Sequence, residues 1–79
     1  MNRKLLAEEI INFCVEYKIE KYLLAPQSIV EDYLKYNWFV ESLIQMLWIK
    51  AKYIENVDCE RLEKLIADLE NVRLELGCG

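Results

Sequence analysis

Apolar residues recur along this chain at helical spacing, and two short segments interrupt the pattern. The first is Ala25-Pro26, because proline disfavours helix in the residue before it and is tolerated in a helix's first turn. Ser28 and Glu31 follow at the spacing of a capping box, which marks a helix start. The second interruption is the segment 55–58, which ends in the favourable N-cap residue Asp58.

These interruptions predict three helices, over residues 3–24, 27–55 and 59–76, with a candidate kink at Lys18-Ile19-Glu20. Gly77 is typical of the position just past a helix end. The chain has no internal repeat, low-complexity stretch or linker, so we expect residues 1–79 to form a single domain. The predicted fold class is all-α, a three-helix bundle with a long central helix. In up-down-up topology the first and third helices run parallel.

The three helices differ in how many apolar faces they have at about 100° per residue. The third helix has one apolar face, and its charged residues lie elsewhere. That face is formed by these residues: Leu62, Leu65, Ile66, Leu69, Val72 and Leu76. The first helix has a main stripe and a second one on roughly the opposite side, formed by Ile11, Val15 and Tyr22. The central helix has a main stripe that contains these residues: Ile29, Tyr33, Tyr36, Val40, Leu43, Leu47, Ala51 and Ile54.

A second seam on the central helix lies roughly 130° from its main stripe. In a compact three-helix bundle one continuous apolar face serves both neighbours of a helix, so a second seam predicts another neighbour. Apolar and aromatic side chains at heptad spacing suit helix-on-helix docking. We therefore expect a homodimer interface, with a different protein partner as the alternative. Its predicted residues are Trp38, Phe39, Ser42, Met46, Ile49 and Tyr53, with Ile11, Val15 and Tyr22 from the first helix.

The residue inventory argues against catalysis. Of 79 residues, 54% are hydrophobic, and the chain has no His, no Thr and only the serines Ser28 and Ser42. Its glycines, Gly77 and Gly79, stand at the last turn. A Ser-His-Asp triad, a P-loop and a dinucleotide-binding glycine motif are all excluded. We expect a protein that is not an enzyme and binds no cofactor.

Metal binding is not expected either. Cys14, Cys59 and Cys78 form no CxxC pair, and without His they supply too few ligands for a tetrahedral zinc site. Adjacent carboxylates point about 100° apart on a helix, so they do not converge on one ion. With the first and third helices parallel, Cys14 and Cys59 would lie roughly 16 Å apart along the axis, too far for a disulfide.

The charge balance disfavours nucleic-acid binding. Ten Lys and Arg against fourteen Asp and Glu give a net charge of −4, opposite to the sign that phosphate neutralisation requires. One alternative is a nucleic-acid-associated regulator, in which dimerised first helices gather Arg3, Lys4 and Lys18 into a basic patch. Another is an acidic inhibitor whose third helix imitates phosphates, although that helix also contains three bases: Arg61, Lys64 and Arg73.

No stretch approaches eighteen consecutive apolar residues, and Glu8-Glu9 interrupts the segment after Arg3-Lys4. Neither a membrane span nor a signal peptide is therefore expected. We expect a cytoplasmic location. The composition and the two-sided helices favour a small protein–protein interaction module, acting as an adaptor, regulator or inhibitor.

Overall fold

The computed structural model describes residues 2–19 and 26–77, and every regular element in those ranges is helical. The helices are α1 (Arg3–Glu16), α2 (Gln27–Tyr33), α3 (Asn37–Ile49) and α4 (Cys59–Leu76). A short 3₁₀ turn, Ala51–Tyr53, follows α3. The predicted all-α class is confirmed, whereas the described residues form four α-helices and not three.

Helix α1 is shorter than predicted. It begins at Arg3, where the side chain of Asn2 accepts a hydrogen bond from the Leu5 backbone N–H at 3.1 Å. It ends at Glu16, because Lys18 adopts a left-handed φ of 55° and the Ile19 N–H donates back to the Cys14 carbonyl at 2.9 Å. This is a Schellman ending with Lys where glycine is usual. The candidate kink is therefore a helix end, and the predicted continuation beyond residue 19 lies outside the described residues.

The predicted central helix is two helices, so the single span 27–55 is wrong. Tyr36 adopts an extended conformation and becomes the N-cap of α3, while the Tyr36 N–H donates to the Tyr33 carbonyl at 2.9 Å. Helix α2 packs mainly against α1, and α3 packs mainly against α4. A straight helix would leave one of these contacts unmade, so the break at residues 34–36 lets both halves bury their apolar sides.

Helix α4 agrees with the prediction at both ends. The Asp58 carboxylate accepts a hydrogen bond from the Arg61 N–H at 3.1 Å, which satisfies a free donor of the first turn. At the other end, the Gly77 N–H donates to the Arg73 carbonyl, and a Cβ on Gly77 would lie 2.6 Å from that oxygen. Its buried face is the predicted one: Leu62, Leu65, Ile66, Leu69 and Val72.

Helix α4 runs antiparallel to α1, which corrects the parallel arrangement expected from three helices. Three ion pairs join the two helices in opposite order along the chain, and the division of the central helix has changed the topology. The pairs are Arg3–Glu75 at 3.2 Å, Glu9–Lys64 at 3.5 Å and Glu16–Arg61 at 2.7 Å. The start of α4 therefore lies beside the end of α1.

This reversal removes the argument that separated Cys14 from Cys59, because both residues now lie toward the same end of the α1–α4 pair. The two thiols are nevertheless free, with Cys14 buried and Cys59 exposed. At the same end, the Asp58 N–H donates to the Tyr17 hydroxyl at 2.9 Å. The guanidinium of Arg61 lies 5.4 Å from the Phe13 ring centroid.

One apolar cluster contains side chains from all four helices, and no polar or charged side chain of the described residues is buried with it. Helix α3 supplies a broad part of this core: Phe39, Val40, Leu43, Ile44, Met46 and Leu47. At 100° per residue these six span about 160° of the helix circumference. The opposite side of α3 carries the candidate site.

Candidate interaction surface

The outer face of α3 combines two large apolar side chains with two smaller polar ones. Trp38, Ser42, Gln45 and Ile49 lie within about 60° of one another around the helix. Trp38 is 61% exposed and Ile49 is 65% exposed, although both are large apolar residues. Between them Ser42 is half-buried and Gln45 is exposed. We call these four residues the outer face of α3.

An aromatic cluster continues this face at the start of α3. Tyr36 stacks on Trp38 with ring centroids 6.2 Å apart, and Tyr33 meets both rings edge-on at 6.0 Å. Beneath them the buried ring of Phe39 lies 5.4 Å from Tyr33. The break between α2 and α3 brings these rings together, because it folds the end of α2 against the first turn of α3.

A charged rim borders the aromatic cluster. Lys35 Nζ lies 2.9 Å from an Asp32 carboxylate oxygen and 5.5 Å from the Tyr36 ring centroid. The hydrogen bond to Asp32 raises the pKa of Lys35 above its ordinary value. The ammonium therefore stays charged beside the exposed aromatic rings.

Exposed apolar side chains are concentrated in this region. Ten large apolar side chains of the described residues are clearly exposed, and only three of them, Leu5, Val15 and Leu74, lie on α1 or α4. The other seven fall between residues 29 and 53. They are Ile29, Tyr33, Tyr36, Trp38, Trp48, Ile49 and Tyr53.

The predicted interface residues divide into an exposed group and a buried group. Trp38, Ile49 and Tyr53 are exposed, and Tyr53 is 79% so. Phe39 and Met46, at 6% and 7% exposure, are part of the chain's own core. Other side chains of the same chain therefore cover Phe39 and Met46. This corrects the expectation that the whole seam needs a neighbour from another molecule.

The first-helix stripe also divides. Ile11 is half-buried and packs against the core, whereas Val15 is 51% exposed on α1. The packing partners of α1 are α2 and α4. Tyr22 lies outside the described residues. The structure thus does not place Ile11 and Val15 on one face with the exposed residues of α3.

The sequence pattern assigned Ile29, Tyr33 and Tyr36 to the main apolar stripe of the central helix, whereas the structure leaves them 39–50% exposed. The error follows from treating residues 27–55 as one helix, since the break changes which way these side chains point. The sequence contains only a weak signal for this break. The segment 33–37 contains Tyr and Asn, which have modest helix propensities.

A small groove lies between the end of α3 and the start of α4. It has a volume of about 220 Å³ and a largely apolar lining, with Lys52 and Glu63 as its charged members. Trp48 forms part of one wall and is itself 50% exposed. The remaining lining residues are Val57, Cys59, Leu62 and Ile66. This groove extends the exposed apolar surface around α3 toward α4.

A more polar pocket of about 350 Å³ beside α2 contains two bases and two acids, and it does not resemble an anion or cation site. Arg3 pairs with Glu75, and Lys35 pairs with Asp32. Ser28 and Glu31 complete its lining. Within residues 2–19 and 26–77, no three Cys, Asp or Glu side chains are grouped so that they could hold a metal ion.

The thiols differ in chemistry. Burial raises the pKa of Cys14 to about 11, so this thiol stays protonated at neutral pH. Cys59 is exposed at the first turn of α4, with its Sγ 3.8 Å from the Val57 carbonyl oxygen. Neither sulfur has an imidazole beside it, since the chain contains no His.

Among residues 2–19 and 26–77, the basic side chains do not form a single patch. Arg3 begins α1 and Lys18 lies two residues past its end, so the length of the helix, roughly 20 Å, separates them. On α4, Arg61 and Lys64 pair with α1 acids, and the hydrogen bond from Arg61 lowers the pKa of Glu16. The aromatic cluster of Tyr33, Tyr36 and Trp38 is therefore the most distinctive chemical feature of the described surface.

Across the described ranges, no helix has the length and apolar character needed to cross a membrane. Comparison with known proteins finds no family model, no curated protein and no solved structure that matches this chain.

Proposed function

We propose that this protein is a small non-enzymatic protein–protein interaction module, an adaptor, regulator or inhibitor that binds through the exposed surface of α2 and α3. The observation that supports the proposal is the concentration of exposed large apolar side chains between residues 29 and 53. Trp38, Tyr33 and Tyr36 form its centre. Aromatic residues are enriched at protein interfaces, where they bury large areas with few rotatable bonds.

The proposal gains support from the core, which is complete without these side chains. Phe39, Met46 and the other buried residues of α3 already pack against the rest of the chain. Every buried side-chain polar atom of the described residues has a partner. Folding alone therefore does not account for two exposed tryptophans, whereas binding would remove their apolar surface from water.

The two nucleic-acid alternatives have weaker support. A regulator that binds nucleic acid needs a basic patch, yet Arg3 is paired with Glu75 and lies far from Lys18. An inhibitor that imitates phosphates needs a continuous row of acids, yet the exposed apolar residues Ala67 and Leu74 lie among the acids on the outer side of α4. Neither alternative gives a binding role to the exposed aromatic cluster.

Site-specific photo-crosslinking tests the proposal. A photoreactive phenylalanine analogue is placed at Trp38 or Ile49, and at Glu60 or Glu70 on the exposed face of α4 as matched controls. The purified variants are irradiated alone and in an extract of the cells that encode the chain. We expect discrete protein adducts from the α3 positions and none of comparable yield from α4. Equal yields at all four positions, or none at Trp38 and Ile49, would contradict the proposal.

A further inference from the structure

We propose that the partner of the α3 outer face is a second copy of this chain, packed antiparallel about a twofold axis that passes between Ser42 and Gln45. This inference rests on the proposed function, because it assigns an occupant to the same surface. A twofold pairing requires that the face be complementary to itself when reversed. The outer face of α3 meets that requirement.

Reversal places unlike residues opposite one another along the face. Trp38 and Ile49 are the two large side chains, and they lie equally far from the midpoint between Ser42 and Gln45. Antiparallel pairing therefore sets Trp38 of each copy against Ile49 of the other. Ser42 meets Gln45 at the centre, where the small serine side chain leaves room for the longer glutamine of the other copy. Parallel pairing would instead stack the two Trp38 side chains at one end and set the two Gln45 side chains against each other.

The same register brings the aromatic cluster onto the far end of the second copy. Tyr33 and Tyr36 precede Trp38, and Tyr53 follows Ile49 at a similar distance from the midpoint. Tyr53 is 79% exposed, the largest exposed fraction in the set. In the dimer it lies against the Tyr33 and Tyr36 rings of the other copy.

One flank of the face provides a polar contact. Glu41 and Trp48 lie on the same side of α3, within about 20° of each other, and both are exposed. Residues on one flank meet their own counterparts in an antiparallel pair, so Glu41 faces Trp48 of the second copy. The indole N–H then donates to the carboxylate, which keeps both polar groups satisfied at the edge of the interface.

The exposed area is of the size that a dimer needs. Aromatic side chains bury about 150–250 Å² each, so the exposed fractions of the five aromatic residues together with Ile49 leave roughly 600 Å² open per chain. Two copies would bury roughly 1,200 Å², the lower end of the range for specific interfaces. This area is at the upper end of what soluble monomers expose as one apolar patch, and patches of that size are often functional.

Light scattering coupled to size-exclusion chromatography tests the inference with the intact protein, at a protein concentration on the order of tens of micromolar. We expect the wild type to have twice the 9.5 kDa mass of one chain. Trp38→Glu and Ile49→Lys should each halve that mass, because each variant sets a charge against an apolar side chain. Leu5→Glu, at a 52% exposed position on α1, should leave the dimer intact.

Mixing the two single variants decides the register. In the antiparallel pair the carboxylate introduced at position 38 of one chain faces the ammonium introduced at position 49 of the other. The mixture should therefore regain the dimer mass that neither variant has alone, as should the double variant Trp38→Glu/Ile49→Lys. Failure of both to regain it, with unchanged helical circular dichroism, would overturn the antiparallel register.

Two further outcomes would overturn the dimer itself. A wild-type mass of 9.5 kDa refutes the second copy as occupant and needs no variant to interpret. A dimer that survives both single substitutions refutes the α3 face. In either case, crosslinks from Trp38 to a protein of another mass would leave the proposed function standing, while the absence of any crosslink would remove both.

Discussion

Helices α3 and α4 are both amphipathic and pack against each other, yet the side chains on their solvent-facing sides differ. Helix α4 buries one apolar row, and its outer side carries the exposed acids Glu60, Glu63 and Glu70. Helix α3 buries a wider arc and still exposes Trp38, Trp48 and Ile49. The first pattern is that of a helix adapted to one core. The second exceeds what one core uses, and the surplus on α3 forms the proposed binding surface.

The sharpest way to test this contrast is to compare two neighbouring aromatic residues of α3. Phe39→Ala should lower the free energy of unfolding by about 3–5 kcal/mol, because a buried ring is replaced by a cavity. Trp38→Ala should cost about 1 kcal/mol or less at concentrations where the chain is monomeric, since it removes only exposed ring contacts. Urea denaturation followed by circular dichroism measures both. Similar losses would show that the division of α3 into buried and open sides is wrong.

The same comparison on α4 should give a difference almost as large. Leu69 is fully buried, and Leu69→Ala should cost about 2–5 kcal/mol. The adjacent Glu70 is exposed, so Glu70→Ala should change stability by less than about 0.5 kcal/mol. Thermal melts of the two variants beside the wild type would measure the difference. A strongly destabilised Glu70 variant would contradict the buried face assigned to α4.

The antiparallel contact of α1 with α4 gives a smaller effect. Tyr17→Phe removes the hydroxyl that accepts the Asp58 N–H and should cost about 1 kcal/mol. Tyr53→Phe is the matched control, because Tyr53 is 79% exposed and its hydroxyl should contribute little. Denaturant midpoints of the two variants test the contact. No difference between them would argue against the placement of the α4 start beside the end of α1.

Cys14 and Cys59 differ in the same way, because Cys14 is buried in the core and Cys59 is exposed. The pKa of Cys14 is raised from 9.0 to about 11, so the unfolded thiol ionises first as pH rises. The folded state then retains a proton that the unfolded state has lost, and stability should fall between pH 9 and 11. Cys14→Ala should flatten this slope in denaturation measured across that window.

Alkylation provides an independent measurement of the same difference. At mildly alkaline pH, iodoacetamide should modify Cys59 quickly and Cys14 only as fast as the chain opens. Peptide mapping by mass spectrometry distinguishes the two sites. Equal rates in the native protein would mean that Cys14 is not part of a stable core.

The sequence by itself determined the helical class, the start of α2 after Pro26, and both ends and the buried face of α4. These predictions succeeded because they depend on local signals, namely the cap at Asp58, the stop at Gly77 and a single apolar row at period 3.6. It also indicated that the region around Trp38 and Ile49 holds more apolar surface than a small bundle uses.

Tertiary structure alone decided where the remaining helices end and how they pack. Helix α1 ends at a left-handed Lys18, and lysine is not a residue type that predicts a left-handed conformation. The break at Tyr36 exists because α2 and α3 bury their apolar sides against different helices. Once the chain bends there, Phe39 and Met46 turn into the core while Tyr33 and Tyr36 gather beside Trp38. A helical projection assigns each residue an angle around one axis, and only the arrangement of four axes settles which of those angles are covered.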